Sequence, residues 1–139
     1  MVFNLLFPLW LMLTPVLRFG VNNDNELAHL NVLFAARVRV WLFLCWLLHG
    51  LSPLVVDGLR SPAEQTQRHK EDARNPLNPG NHGSGEAVDM NFLRNGVIVL
   101  RKASTPAAWA PVYVLADLCG ISNGSTFRGY PDNNHFYQA

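Results

Sequence analysis

In the strand read over residues 86–92, small or polar and large apolar side chains alternate strictly from Ala87 onward. Successive side chains of a strand point to opposite faces, so Val88, Met90 and Phe92 share one face while Ala87, Asp89 and Asn91 share the other. Such a strand needs apolar cover on one side only, and Asp89 is left pointing into whatever lies open above the sheet. Arg94-Asn95-Gly96 then reads as a tight turn into a second strand over residues 97–100, which pairs antiparallel. The fold class this predicts is α+β, with helices packed against a small, mainly antiparallel sheet whose open face carries the chemistry.

The cover comes from helical patterns. Asp24 or Asn25 is suited to cap a helix starting near Glu26, and Leu27, Leu30, Phe34, Val38, Trp41 and Cys45 recur at three- and four-residue steps. Residues 40–48 are apolar all round, which predicts burial on most sides, before His49 and Gly50 close the helix. Arg37 and Arg39 leave this run short of the ~20 apolar residues of a membrane span, so a core helix is expected. Thr105-Pro106 opens a further helix ending at Cys119-Gly120, with Pro111 either kinking it or marking its true start. Trp41, Trp46 and Trp109 read as core or interface. Cys45 and Cys119 sit in apolar runs and read as small core residues, with their pairing open.

The remaining elements are shorter. Residues 53–59 form a Val-rich strand, and Ser61-Pro62 with Glu64 starts a helix with capping-box spacing that runs to about Arg74. Its Arg68, His69, Lys70, Glu71 and Asp72 read as a solvated face. Residues 75–85 are a loop of Gly, Pro and Asn that delivers His82 to the strand beyond it. The tail is rich in Gly and Asn and ends in one short strand, His135-Phe136-Tyr137.

A chain of 139 residues fits one domain, but only 15% is charged where about 25% is usual, so apolar surface must be hidden by an ample core, a partner or a membrane. The net charge of +1 excludes a polybasic nucleic-acid binder and a charged disordered tail. Residues 2–17 are nearly all apolar, yet Pro8 and Pro15 interrupt them and no basic residue precedes them. Arg18, the first basic residue, follows the stretch and favours keeping the downstream chain in the cytoplasm. Residues 1–20 are therefore read as an anchor, a signal or a packed arm, with membrane association open. Residues 21–139 are read as one monomeric domain.

Two of the five histidines sit in purposeful settings. His82 precedes Asp89 in His82-Gly83-Ser84-Gly85-Glu86-Ala87-Val88-Asp89, and His135 follows Asp132 in Asp132-Asn133-Asn134-His135-Phe136. Two imidazoles and a carboxylate suit zinc with its fourth position open to water, whose pKa the ion lowers toward about 7. A further carboxylate then serves as general base. Each residue alone fits a solvated or structural role, and without further motifs the set is suggestive of a metal site rather than specific to one.

Three motifs follow one another: Gly58-Leu59-Arg60-Ser61-Pro62-Ala63-Glu64-Gln65, then His82-x-x-Gly85-x-Ala87-x-Asp89, then Asp132-x-x-His135-Phe136. In this order they resemble the zinc-dependent D-alanyl-D-alanine carboxypeptidase family, which includes the phage L-alanyl-D-glutamate endolysins. The family lies in the superfamily of the lysostaphin-type enzymes and the hedgehog signalling domain. The likeness runs from about residue 24 to the end of the sequence.

The resemblance implies His82, Asp89 and His135 as ligands of one zinc ion and Asp132 as the catalytic carboxylate. Arg60 matches the arginine that binds substrate and steadies negative charge on the attacked carbonyl oxygen, and Gln65 matches a supporting position of the substrate site. Gly80 stands where the family often has serine, and Asn123-Gly124-Ser125-Thr126-Phe127 where a Trp-Gly-Gly-like stretch is usual. The implied activity is a zinc metallopeptidase cutting peptidoglycan stem peptides in the cell envelope, as endopeptidase or D,D-carboxypeptidase. Two alternatives are a non-catalytic zinc module of the same fold and a small membrane protein with a vestigial peptidase half.

Overall fold

The protein was analysed as a computed structural model, which describes residues 17–76 and 80–139. The expectations for residues 2–16 and for the centre of the 75–85 loop lie outside the described residues. The elements run α1 (Val21–Ala28), α2 (Val32–His49), β1 (Ser52–Asp57), α3 (Pro62–Glu71), a 3-10 turn (Gly80–His82), β2 (Ala87–Arg94), β3 (Val97–Leu100), α4 (Pro106–Leu118), β4 (Ser122–Gly124) and β5 (Asp132–Tyr137). This is the α+β arrangement expected, with every strand pairing antiparallel in the order β1-β2-β5-β4 and β3 pairing with the outer half of β2.

The alternation of β2 does what its sequence requires. Val88, Met90 and Phe92 are fully buried beneath α2 and α4, joined by Phe136 of β5. Trp41 of α2 and Trp109 of α4 close over them, with ring centroids 4.4 Å and 5.7 Å from Phe136. The indole N–H groups are satisfied as they are buried, Trp41 donating to the Val112 carbonyl at 3.1 Å and Trp109 to the Arg101 carbonyl at 3.1 Å. Cys45 and Cys119 are both free and fully buried in this core, and burial pushes the Cys119 thiol up to about 12.

The long first helix departs from expectation, because two helices stand where the periodicity suggested one. Asn31 breaks the run: its side-chain oxygen accepts from the backbone N–H groups of Leu33 and Phe34 and so caps α2. Its own N–H donates to the carbonyl of Gly85 at 2.9 Å, which ties the break to the loop entering β2. The cap of α1 is Gly20 rather than Asp24 or Asn25. At the other end Gly50 adopts the left-handed conformation expected of it.

Helix α2 has the length and apolarity of a membrane span, yet Phe34, Val38, Trp41, Leu42 and Cys45 are fully buried in the core. Its last turn does not follow the burial expected of residues 40–48. Trp46, Leu47 and Leu48 are more than half exposed. Trp46 and Phe43 instead line a groove with Leu17, Phe19 and Pro53, where the described chain begins.

Smaller differences have local causes. Helix α3 has both halves of the capping box at Ser61 and Glu64, but stops at Glu71 because Asp72 turns extended and accepts from the N–H of Arg74. His69 leaves the solvated face to bond the Asn75 carbonyl at 2.7 Å. Pro111 lies inside α4, which starts at Pro106. Strand β1 ends at Asp57, two residues before Leu59. Strand β4 was not anticipated, since Ser122-Asn123-Gly124 carries no apolar alternation and pairs only as an edge to β5.

Gly85 sits at φ +73, and a Cβ there would lie 2.8 Å from the Asn31 backbone nitrogen. A Gly85→Ala variant is expected to lose about 2 kcal/mol or more of stability by chemical denaturation, from positive-φ strain and the broken α2 contact together.

Candidate metal centre

The open face of the sheet carries a row of three side chains. On the register of β2, Asp89 stands opposite His135 of β5 on one side and opposite Asp57 of β1 on the other. A bulge between Val55 and Asp57 in β1 brings the Asp57 carboxylate into this row. His82 arrives from the 3-10 turn before β2 and is 4% exposed. The chain around Arg60 holds it there, because the Arg60 N–H donates to the His82 carbonyl at 3.0 Å.

The His82 ring is fixed through its second nitrogen. Nδ1 lies 2.7 Å from the Gly58 carbonyl, which can only accept, so Nδ1 carries the proton and Nε2 turns a lone pair into the site. That Nε2 is 3.2 Å from His135 Nδ1 and 3.4 Å from Asp89 Oδ1, while His135 Nδ1 is 2.9 Å from the same Asp89 oxygen. His82, Asp89 and His135 thus bring one ligand atom each within 4.8 Å of one another.

Lone pairs this close repel unless a proton or a cation sits among them. Ligand atoms at about 2.0–2.2 Å from one tetrahedral ion would be ~3.4 Å apart, which the observed spacings approach. The donor set and its geometry therefore fit a divalent ion.

Asp89 is anchored from the opposite side by Arg60. Burial alone would push its carboxyl up, but hydrogen bonds and charge from His135 and His82 outweigh that and hold it well below the usual carboxylate range. The guanidinium of Arg60, a residue 9% exposed, places Nη2 3.4 Å from Asp89 Oδ2. It also donates from Nε and Nη2 to Asp57, and from Nη1 to Gln65 Oε1 at 2.6 Å. Gln65, 1% exposed, in turn donates to the Pro76 carbonyl. All three guanidinium nitrogens are thus engaged within the protein, and Asp57 also receives Arg68 at 2.8 Å.

Asp132 sits at the start of β5 and lines the same pocket of about 600 Å³ as Arg60, His82, Asp89 and His135. Its Oδ1 is shielded from solvent and has Lys102 Nζ 3.3 Å away. The Phe127 ring lies 5.7 Å from the His135 ring, Tyr137 stacks on His135 at 5.6 Å, and Phe127 and Tyr137 are 5.5 Å apart, so the three rings form one cluster.

Every site residue expected from the sequence lines this pocket or, like Gln65, backs it. Asp57, Lys102, Phe127, Tyr130 and Tyr137 were not anticipated. Asp57 had a signal, a carboxylate three residues before Arg60 at a strand end; Lys102 and Tyr130 had none, because their pairing is purely tertiary.

Removing Arg60 would leave Asp89 Oδ2 and the buried Gln65 Oε1 without their donor and Asp57 with Arg68 alone. An Arg60→Ala variant is expected to lose about 3 kcal/mol or more in denaturant titration, and Arg60→Lys to recover only part, since an ammonium cannot span three acceptors in a plane.

No family model matches the sequence, and no curated protein matches it significantly. Among solved structures the chain is similar to the L-Ala D-Glu endopeptidase ChiX of Serratia marcescens, with a TM-score of 0.67 and 20% sequence identity. The likeness covers 84% of this chain and 85% of that one, and it shows a shared fold.

Proposed function

We propose that the protein is a zinc-dependent peptidase that hydrolyses peptidoglycan stem peptides. The observation that carries this reading is the convergence of His82, Asp89 and His135 beside a further carboxylate, Asp132, in one pocket. The solved structure of the same fold is named as an L-Ala D-Glu endopeptidase, which favours an internal cut over removal of a terminal D-Ala. Stem peptides lie in the cell envelope, which is the site of action in this reading, with residues 21–139 as the peptidase domain and residues 1–20 as an apolar anchor, signal or packed arm.

In this reading His82, Asp89 and His135 hold zinc, which when bound polarises the scissile carbonyl and activates a water. Asp132 takes the proton of the attacking water and delivers it to the leaving amine. Lys102 keeps the Asp132 carboxylate at the pocket wall until substrate enters. Arg60 acts chiefly through Asp89, whose second oxygen it orients, while its fixed positive charge stands near the position where negative charge develops on the carbonyl oxygen. Gln65 fixes the plane of that guanidinium.

Two measurements test this. A ligand set assembled only by folding binds zinc more tightly than the unfolded chain does, so stoichiometric zinc is expected to raise the Tm of wild type, and His82→Ala and His135→Ala are expected to lose that shift. Purified peptidoglycan incubated with the zinc-loaded protein should release peptide fragments by mass spectrometry, and a chelator should stop the release. Asp132→Asn is expected to lower kcat by about 100-fold or more while zinc still binds. Stoichiometric zinc with no release from any wall preparation would instead mark a binding module without turnover, and His82→Ala with full activity would exclude the site.

A further inference from the structure

The pocket holds positive charge that the metal centre does not use. Five of the chain's 11 Lys and Arg line it (Arg60, Arg68, Arg74, Lys102 and Arg128), against Asp89 and Asp132 of its 10 Asp and Glu. Arg60 and Arg68 are tied to Asp57. Of the other three, Lys102 and Arg74 gather at Tyr130, and Arg128 lines the same pocket from an exposed position. Lys102 Nζ lies 4.7 Å from the Tyr130 ring centroid and the Arg74 guanidinium 5.5 Å from it, so one ring gathers two cations.

Their countercharges are incomplete. Asp72 answers Arg74 at 2.6 Å, and Asp132, the group assigned to move the proton, is the carboxylate that faces Lys102. Arg128 is exposed and pairs with no carboxylate among the described residues. Burial opposes the charge on Lys102, but Tyr130 and Asp132 outweigh it and keep the ammonium protonated. With a net charge of only +1, the chain exerts no general pull on polyanions; its positive charge is gathered at this pocket. A divalent ion at the histidines would make it more positive still.

We propose that Lys102 and Arg128, with Arg74 behind them, bind a free carboxylate on the peptide substrate beside the scissile bond, and so set its specificity. This rests on the peptidase reading above. The carboxylate would take Lys102 from Asp132, so the substrate that is recognised also frees the group that moves the proton. A peptide of the same length with an amide in place of that carboxylate leaves Arg128 unanswered and Lys102 on Asp132.

The test compares a stem peptide carrying the free carboxylate of its glutamate with the same peptide amidated there, using the full zinc-loaded chain. Wild type is expected to cut the acid with kcat/KM about tenfold above the amide, about 1.4 kcal/mol, and to bind it correspondingly tighter by calorimetry. That acid-to-amide ratio should fall toward one in Lys102→Gln/Arg128→Gln and fall partway in Arg128→Gln, whose exposed position keeps folding out of the result. Because the ratio is taken within each variant, a general loss of activity cancels. Equal cleavage and equal binding of the two peptides by wild type, or a ratio unchanged in both variants, overturns the inference while leaving the peptidase reading in place. Tighter binding of the acid with neither peptide cut upholds the rim and defeats the proposed reaction.

Discussion

The two oxygens of Asp89 face different worlds, and the site depends on that division. Oδ1 meets the ring nitrogens of His82 and His135, while Oδ2 meets the guanidinium of Arg60. A half-buried carboxylate with both oxygens engaged cannot swing away, and it keeps its charge because the two imidazoles outweigh the cost of burial. The imidazoles need the carboxylate in turn, since it is the anion that makes a cation between them favourable. Asp57 and Gln65 finish the arrangement by fixing the arginine.

This geometry is delivered by the sheet and by one loop. Antiparallel pairing sets Asp57, Asp89 and His135 abreast on neighbouring strands, so three of the groups are positioned by backbone ladders anchored in the core beneath. His82 is the exception, and it is clamped by the Gly58 and Arg60 backbone on one side and by the Gly85–Asn31 contact on the other. The break between α1 and α2 is therefore part of the site's support: a continuous helix would leave no backbone N–H at Asn31 for the Gly85 carbonyl.

Much of this was legible in the sequence because it rests on local rules. The alternation of Val88, Met90 and Phe92 against Asp89 announced both the buried face and the open one, and the Ser61–Glu64 capping box placed the start of α3. What was not legible depends on distant partners. Asn31 looks like an ordinary helix residue until Gly85 satisfies its N–H, and Trp46 belongs to an apolar run whose last turn stays exposed. Arg60 was expected to face substrate, and the carboxylates that engage it belong to two strands, one shaped by a bulge that no spacing rule reveals. Tyr130 and Lys102 meet only because the chain folds back after β3 and again before β5.

In the proposed site two imidazole nitrogens and one carboxylate oxygen bind a single ion. X-ray absorption at the zinc edge, on the full chain loaded with one equivalent, reads that shell directly. Nitrogen and oxygen scatterers at about 2.0–2.2 Å are expected, with the outer-shell signature of two imidazoles and loss of one imidazole in His135→Ala. A shell containing sulfur at about 2.3 Å, or one of oxygen alone, would contradict it.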